Sequence, residues 1–196
     1  MVSDIEAAYN YVMDNYPAVD AERLAILGWS MGAKVASKFA AAHPEMKVLV
    51  LWSPAVQDGL GDLYFMKQLS TFAEDENLDN MEYARKLQSE AMENGRAFFS
   101  QEYNAHDVYL SKEFFSEIEE ATPIQWINDY SGSKLAVIPS GDTVIPKKTY
   151  EDLCSKTDVR RIFIDSDHDL GFEGSSKDAT LSAIEVSVVY LYKELM

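Results

Sequence analysis

The chain has 196 residues, enough for one domain with a substantial core, and its 47% hydrophobic content sets it apart from disordered sequences. Thirty-three acidic against 17 basic residues give a formal charge of −16. With no basic stripe in the sequence, that charge argues against nucleic acid as a partner. A single cysteine, Cys154, rules out an internal disulfide and favours a reducing compartment. The N-terminus carries acids where a secretory leader needs basic residues, and no apolar stretch approaches the ~18 residues of a membrane span. The expectation is a soluble, cytoplasmic protein with no membrane partner.

Ile5, Ala8, Tyr9 and Val12 recur at helical spacing, which predicts an amphipathic helix over about residues 3–16, ended by Pro17. Leu24-Ala25-Ile26-Leu27 is a short apolar run closed by Gly28 and reads as a buried strand. Lys34 to Ala42 reads as a helix stopped at His43-Pro44, with His43 in a capping role. Val48 to Trp52, Leu135 to Ile138 and Arg161 to Ile164 are three further strand-like runs, and Lys147 to Lys156 and Lys177 to Leu195 read as helices. Strands alternating with helices predict a parallel sheet, here of about four strands. Near-continuous apolar strands predict helices on both faces. The fold class is therefore α/β, a single domain over 1–196.

Between the second and third strands lies a long segment, about residues 57–130. It has no strand signature, and apolar residues recur at helical spacing: Leu63, Met66, Leu69, Phe72; Met81, Ala84, Leu87, Ala91; Phe114, Phe115, Ile118. A helical, lid-like insertion is expected. Its aromatics, Phe65, Phe72, Tyr83, Phe98, Phe99 and Tyr103, either line an acyl or aryl pocket or anchor the insertion.

Gly28-Trp29-Ser30-Met31-Gly32 follows a strand and opens a helix, the setting in which Gly-x-Ser-x-Gly places a serine on a tight, strained turn. The glycines are expected where side chains would clash, and Trp29 is expected in the core. Ser30 is the candidate nucleophile. The N–H of Met31, at the free N-terminus of the next helix, is placed to bind an oxyanion. A serine needs a base and the base an orienter. Of three histidines, His43 ends a helix and His106 lies in the insertion. His168 follows the last strand, at the sheet end where α/β folds place function. Asp142 follows the third strand at the same end and is the candidate acid; its plain alternative is a turn or helix-capping aspartate.

With Ser30, Asp142 and His168 in that order, the chain resembles the α/β-hydrolase family, in particular its small serine esterases and acyl hydrolases with Gly-x-Ser-Met-Gly. The Asp142-Thr143-Val144-Ile145-Pro146 stretch is similar to the family's acid loop, and His168-Asp169-Leu170-Gly171 to its terminal histidine loop. The resemblance implies hydrolysis of a carboxylic ester through an acyl-enzyme, without a cofactor. It also exposes a departure. The family's first four strands, and the loop that supplies the second oxyanion N–H, have no counterpart before Leu24. Losing one such donor typically costs about a hundred- to a thousandfold in rate. It would also leave Leu24–Leu27 as an open apolar edge, inviting pairing with a second chain. A non-catalytic remnant or interaction module using that edge is the alternative.

Asp165-x-Asp167-x-Asp169 has the opening spacing of a calcium loop, but Leu170 and Ser176 stand where glycine and glutamate are required. No metal site is expected. Cys154 is expected in a helix, as a packing residue rather than a nucleophile.

Overall fold

The computed structural model describes residues 2–65, 78–100, 107–172 and 174–196. The chain divides into two compact units, one made of 1–56 and 123–196, the other of 57–122.

The first unit is an α/β layer structure. Helix α1 (Val2–Asn15) precedes strand β1 (Leu24–Trp29), helix α2 (Met31–Ala42) and strand β2 (Met46–Trp52). After the second unit come α5 (Pro123–Asp129), β5 (Ser133–Pro139), α6 (Lys147–Lys156), β6 (Arg160–Ile164) and α7 (Lys177–Leu195). The four strands form one parallel sheet in the order β1-β2-β5-β6. The central strands are almost wholly buried, as their unbroken apolar runs require.

The small residues of α2 let it lie close to one face, burying Ala33, Ala36, Phe39 and Ala40. On the other face, Ala179, Ala183 and Tyr190 of α7 pack with Val48, Val50, Trp52, Leu135, Val137 and Ile164. Strand β1 is an edge. Its Ala25, Leu27 and Trp29 stand in register with Val48, Val50 and Trp52, so they share the α7 face, yet all three are exposed. Leu27 is 46% and Trp29 41% exposed. The core position expected for Trp29 is thus not found: α7 packs over β2, β5 and β6, leaving this half of β1 uncovered.

The second unit holds a 3₁₀ segment (Gly59–Phe65), α3 (Asn80–Asn94), β3 (Arg96–Ser100), β4 (Val108–Ser111) and α4 (Lys112–Glu119). The helical spacings read from sequence fall on α3, which buries Tyr83, Ala84, Leu87 and Ala91, and on α4, which buries Phe115 and Ile118. The expectation of a wholly helical insertion is corrected: β3 and β4 form an antiparallel pair. Gly95, at φ 82°, stops α3 in a left-handed turn. The short runs that follow carry aromatic and β-branched residues that suit a strand. Phe98 and Tyr109 meet edge to face at 5.5 Å across the pair, and Arg96 lies over the Tyr109 ring. Phe99 and Tyr83 are buried in this unit. The Phe65 side chain, Met66, Leu69, Phe72, Tyr103 and His106 lie outside the described residues.

Helix α1 has no fully buried residue. It docks on α2 through Tyr9, edge-on to Phe39 at 5.6 Å, and through His43, stacked on Phe39 at 4.0 Å. His43 does follow α2 as its cap residue, and its ring bridges Glu6 (2.9 Å) and Glu45 (2.7 Å). Burial disfavours the charged ring, but hydrogen bonds to the two carboxylates outweigh it, and the His43 pKa is raised above its ordinary 6.5. A raised folded-state pKa gives stability that is complete below the unfolded value and lost as pH rises through the folded value. The Tm difference between the parent and His43→Gln, followed between about pH 5 and 9, is therefore expected to be largest at the acidic end and to shrink as pH rises. A difference that is constant or grows with pH would contradict this.

Candidate active site

All the candidate residues sit beyond the C-terminal ends of the strands: Ser30 after β1, Asp142 after β5, His168 after β6. Ser30 has φ 52° and ψ −122°, a left-handed conformation that a non-glycine residue adopts only under constraint. The constraint is visible. Its N–H donates to Trp52 O (2.8 Å), and its carbonyl accepts from Ala33 N (3.0 Å) and Ala55 N (3.1 Å). A serine at a helix N-cap normally turns its hydroxyl back to the helix. Ser30 makes no such cap bond. Its Oγ lies 2.9 Å from His168 Nε2 instead.

The two glycines of the motif differ. A Cβ on Gly28 would strike Gly32 O and come within 2.7 Å of Ala33 Cα, both backbone atoms. Gly28 is therefore what lets α2 start so close to β1. A Cβ on Gly32 would meet nothing within 4 Å. The expectation of a clash at both flanking positions is corrected to Gly28 alone.

His168 Nδ1 lies 2.8 Å from Asp142 Oδ2. The other oxygen, Oδ1, accepts from Val144 N (2.7 Å) and Ile145 N (2.9 Å). Asp142 therefore does make the tight turn that its plain reading predicted, with one oxygen, while offering the other to His168. Its carboxylate is 1% exposed. Burial pushes its pKa up, but hydrogen bonds from His168, Tyr150 and Ile145 N outweigh that and hold it below its ordinary value.

Three contributors are silent in the sequence. Ser53, fully buried at φ 43° after β2, donates its hydroxyl to His168 O at 2.6 Å. The Trp29 indole N–H reaches the same carbonyl at 3.4 Å. Tyr150, on α6, donates its hydroxyl to Asp142 Oδ2. The loop that carries His168 is pinned by buried Leu170 and by Gly171, where a Cβ would run into Ser176 O.

Met31 begins α2, so its N–H belongs to the first turn, which has no intrahelical acceptor. Asp169, in the acidic run, accepts from Gly171 N (2.7 Å). Among the described residues no group of three or more His, Cys, Asp or Glu is arranged to hold a metal ion, and no helix is long and apolar enough to cross a membrane. Cys154 is half-buried on α6.

Ser30, on its strained strand–helix turn, thus lies in line with a histidine and a buried carboxylate. Residues 1–116, more than half of the chain, match the hydrolase family model described as serine aminopeptidase, S33. The chain belongs to this hydrolase family. The matched region contains Ser30; Asp142 and His168 lie beyond it.

Solved structures share the hydrolase's fold. The esterase domain of a Rhodothermus marinus protein superposes with a TM-score of 0.64 at 15% identity, over 97% of this chain and 68% of that one. A Penicillium α/β hydrolase gives 0.68 at 13%, over 99% and 71%. A Butyrivibrio proteoclasticus protein solved with ferulic acid bound gives 0.64 at 13%, over 97% and 66%. The chain thus spans about two thirds of the length of these structures. No curated protein matches it.

The glycine contrast is testable by thermal unfolding. Gly28→Ala must displace backbone and is expected to destabilise the fold by about 3 kcal/mol or more. Gly32→Ala, in open space inside the first helical turn, is expected to leave Tm unchanged or raise it slightly. Equal effects would contradict the assignment of Gly28 as the close-contact position.

Proposed function

We propose that this hydrolase is a serine esterase. The observation that carries the reading is the hydrogen-bonded chain Ser30 Oγ, His168 Nε2, His168 Nδ1, Asp142 Oδ2, begun from a strained N-cap serine whose hydroxyl makes no cap bond to its helix. Ser30 Oγ attacks the ester carbonyl carbon while His168 Nε2 takes its proton. The tetrahedral oxyanion faces the Met31 N–H. On collapse the C–O bond to the alcohol breaks, and His168 returns the proton to the departing oxygen. Water, deprotonated by His168, then attacks the acyl-Ser30 carbonyl; as the C–O bond to Ser30 Oγ breaks, His168 returns the proton to Oγ, and the carboxylic acid and free Ser30 are released. Asp142 holds the imidazole tautomer and stabilises the imidazolium.

A carboxylic ester of modest size is the proposed substrate class, with thioesters and amides open to the same groups. Hydrolysis of p-nitrophenyl acetate and butyrate by the parent, compared with Ser30→Ala, tests the reading. A parent rate above buffer that the folded alanine variant lacks supports it. Equal rates for two folded proteins would overturn it.

A second reading is favoured by the uncovered half of the first unit. Beside the open β1 edge with exposed Leu27 and Trp29, α7 exposes Leu181, Ile184, Val188 and Tyr192 at near-helical spacing, between 41% and 70%. We propose that this edge pairs with a second copy of the chain. The −16 charge opposes association, so the dimer should tighten as salt screens it. Sedimentation equilibrium at rising ionic strength should show a dimer that Leu27→Lys weakens at least about tenfold. A parent that stays monomeric at the highest soluble concentration would contradict the pairing.

A further inference from the structure

The carboxylate of Asp142 receives four donors. Val144 N and Ile145 N fix Oδ1. Oδ2 is shared between the His168 ring and the Tyr150 hydroxyl. The backbone donors belong to the turn that follows Asp142 itself and would survive any change in α6. Tyr150 belongs to α6, eight residues further on, and is 8% exposed. Its hydroxyl and the His168 ring meet on the same oxygen, Oδ2.

We propose that Tyr150 is a positioning residue of the Ser30–His168–Asp142 chain: its phenol holds Oδ2 on the Nδ1 side of His168 and draws off part of that oxygen's charge. The inference rests on the esterase reading for its effect on turnover, but not for its effect on the hydrogen bond. The physical argument has two parts. The terminal torsion of an aspartate is broad, so a carboxylate fixed through Oδ1 alone keeps freedom to swing Oδ2 off the imidazole. An oxygen with two donors is also a weaker acceptor for each than an oxygen with one, so the phenol moderates how strongly Asp142 favours the charged ring. The charged and titratable groups around the carboxylate are His168 and, from α6, Tyr150, Lys147, Glu151 and Cys154; the last three line a cavity of about 410 Å³ together with Asp142 and Tyr150.

The test uses Tyr150→Phe, which removes one oxygen and keeps the ring, and a chain with 3-fluorotyrosine at position 150, whose more acidic phenol is a stronger donor and whose fluorine the adjoining cavity can take. Each is measured for kcat and KM on p-nitrophenyl butyrate across pH, and for the low-field proton resonance of His168 Nδ1–H, with Asp142→Asn as the reference that lacks it. For Tyr150→Phe, kcat is expected to fall about tenfold, the size of one hydrogen bond to a charged group, with KM within about twofold. The acid limb of kcat/KM, which belongs to the Asp142–His168 pair, should move to higher pH and the low-field resonance should shift. The fluorinated chain should move the limb the opposite way.

A Tyr150→Phe protein with a lower Tm but unchanged kcat, acid limb and resonance would show a merely structural tyrosine and overturn the proposal. If Tyr150→Phe does not fold, an unmoved limb and resonance in the fluorinated chain would do the same. A parent that shows the low-field resonance, moved by the Tyr150 changes, but no Ser30-dependent turnover would uphold the positioning role while overturning the esterase reading.

Discussion

The site depends on one strained residue. Ser30 holds a left-handed backbone that costs on the order of 1–3 kcal/mol, and it does so because three backbone hydrogen bonds, to Trp52, Ala33 and Ala55, leave it no alternative. Those bonds exist only when β2 lies beside β1 and α2 starts where it does. The second condition rests in turn on the missing Cβ of Gly28. Sheet order, a glycine contact and a helix start thus converge on the direction of one hydroxyl. The same geometry that denies the hydroxyl a helix cap gives it to His168.

The opposite side of the site is tied to the same sheet. Ser53, itself left-handed at the end of β2, hydrogen-bonds the carbonyl of His168, and Trp29 adds a longer bond from β1. His168 is thereby indexed to the two strands that also set Ser30, rather than only to β6, from which its loop departs. Asp142 comes from a third strand end, and its Oδ1 is spent on its own turn. The distances of 2.9 and 2.8 Å along the chain of donors follow from shared strand ends rather than from loop flexibility. The cost lies elsewhere. A four-stranded sheet with α7 over three strands leaves β1 half covered, and apolar surface stands open beside the site.

Residues whose place at the strand ends is marked by their neighbours were legible in the sequence. Ser30 was, because an apolar run, two glycines and a helix pattern surround it. Asp142 and His168 were, because each follows a strand-like run closed by turn residues. The element pattern of the first unit was legible because buried parallel strands read as unbroken apolar runs. What escaped depends on contacts that the local sequence pattern does not encode. Tyr150 and Ser53 act through contacts at separations of 8 and 115 residues, with no local signature. The exposure of Trp29 depends on strand order, which periodicity does not encode. Strands β3 and β4 are five and four residues long, too short for a period to show against the helices that flank them. Gly32 looked equivalent to Gly28 because spacing alone says nothing of what a Cβ would meet.

The central claim is that folding, not the bare motif, makes Ser30 reactive. The most direct measurement is labelling of the native chain with a fluorophosphonate, a phosphorus electrophile that an activated serine attacks with loss of fluoride, followed by intact mass and peptide mapping. The account predicts a single adduct, located on Ser30, that disappears when the protein is denatured before labelling and when His168 is replaced by glutamine. An unlabelled native chain, or label spread over several serines at comparable rates, would contradict it.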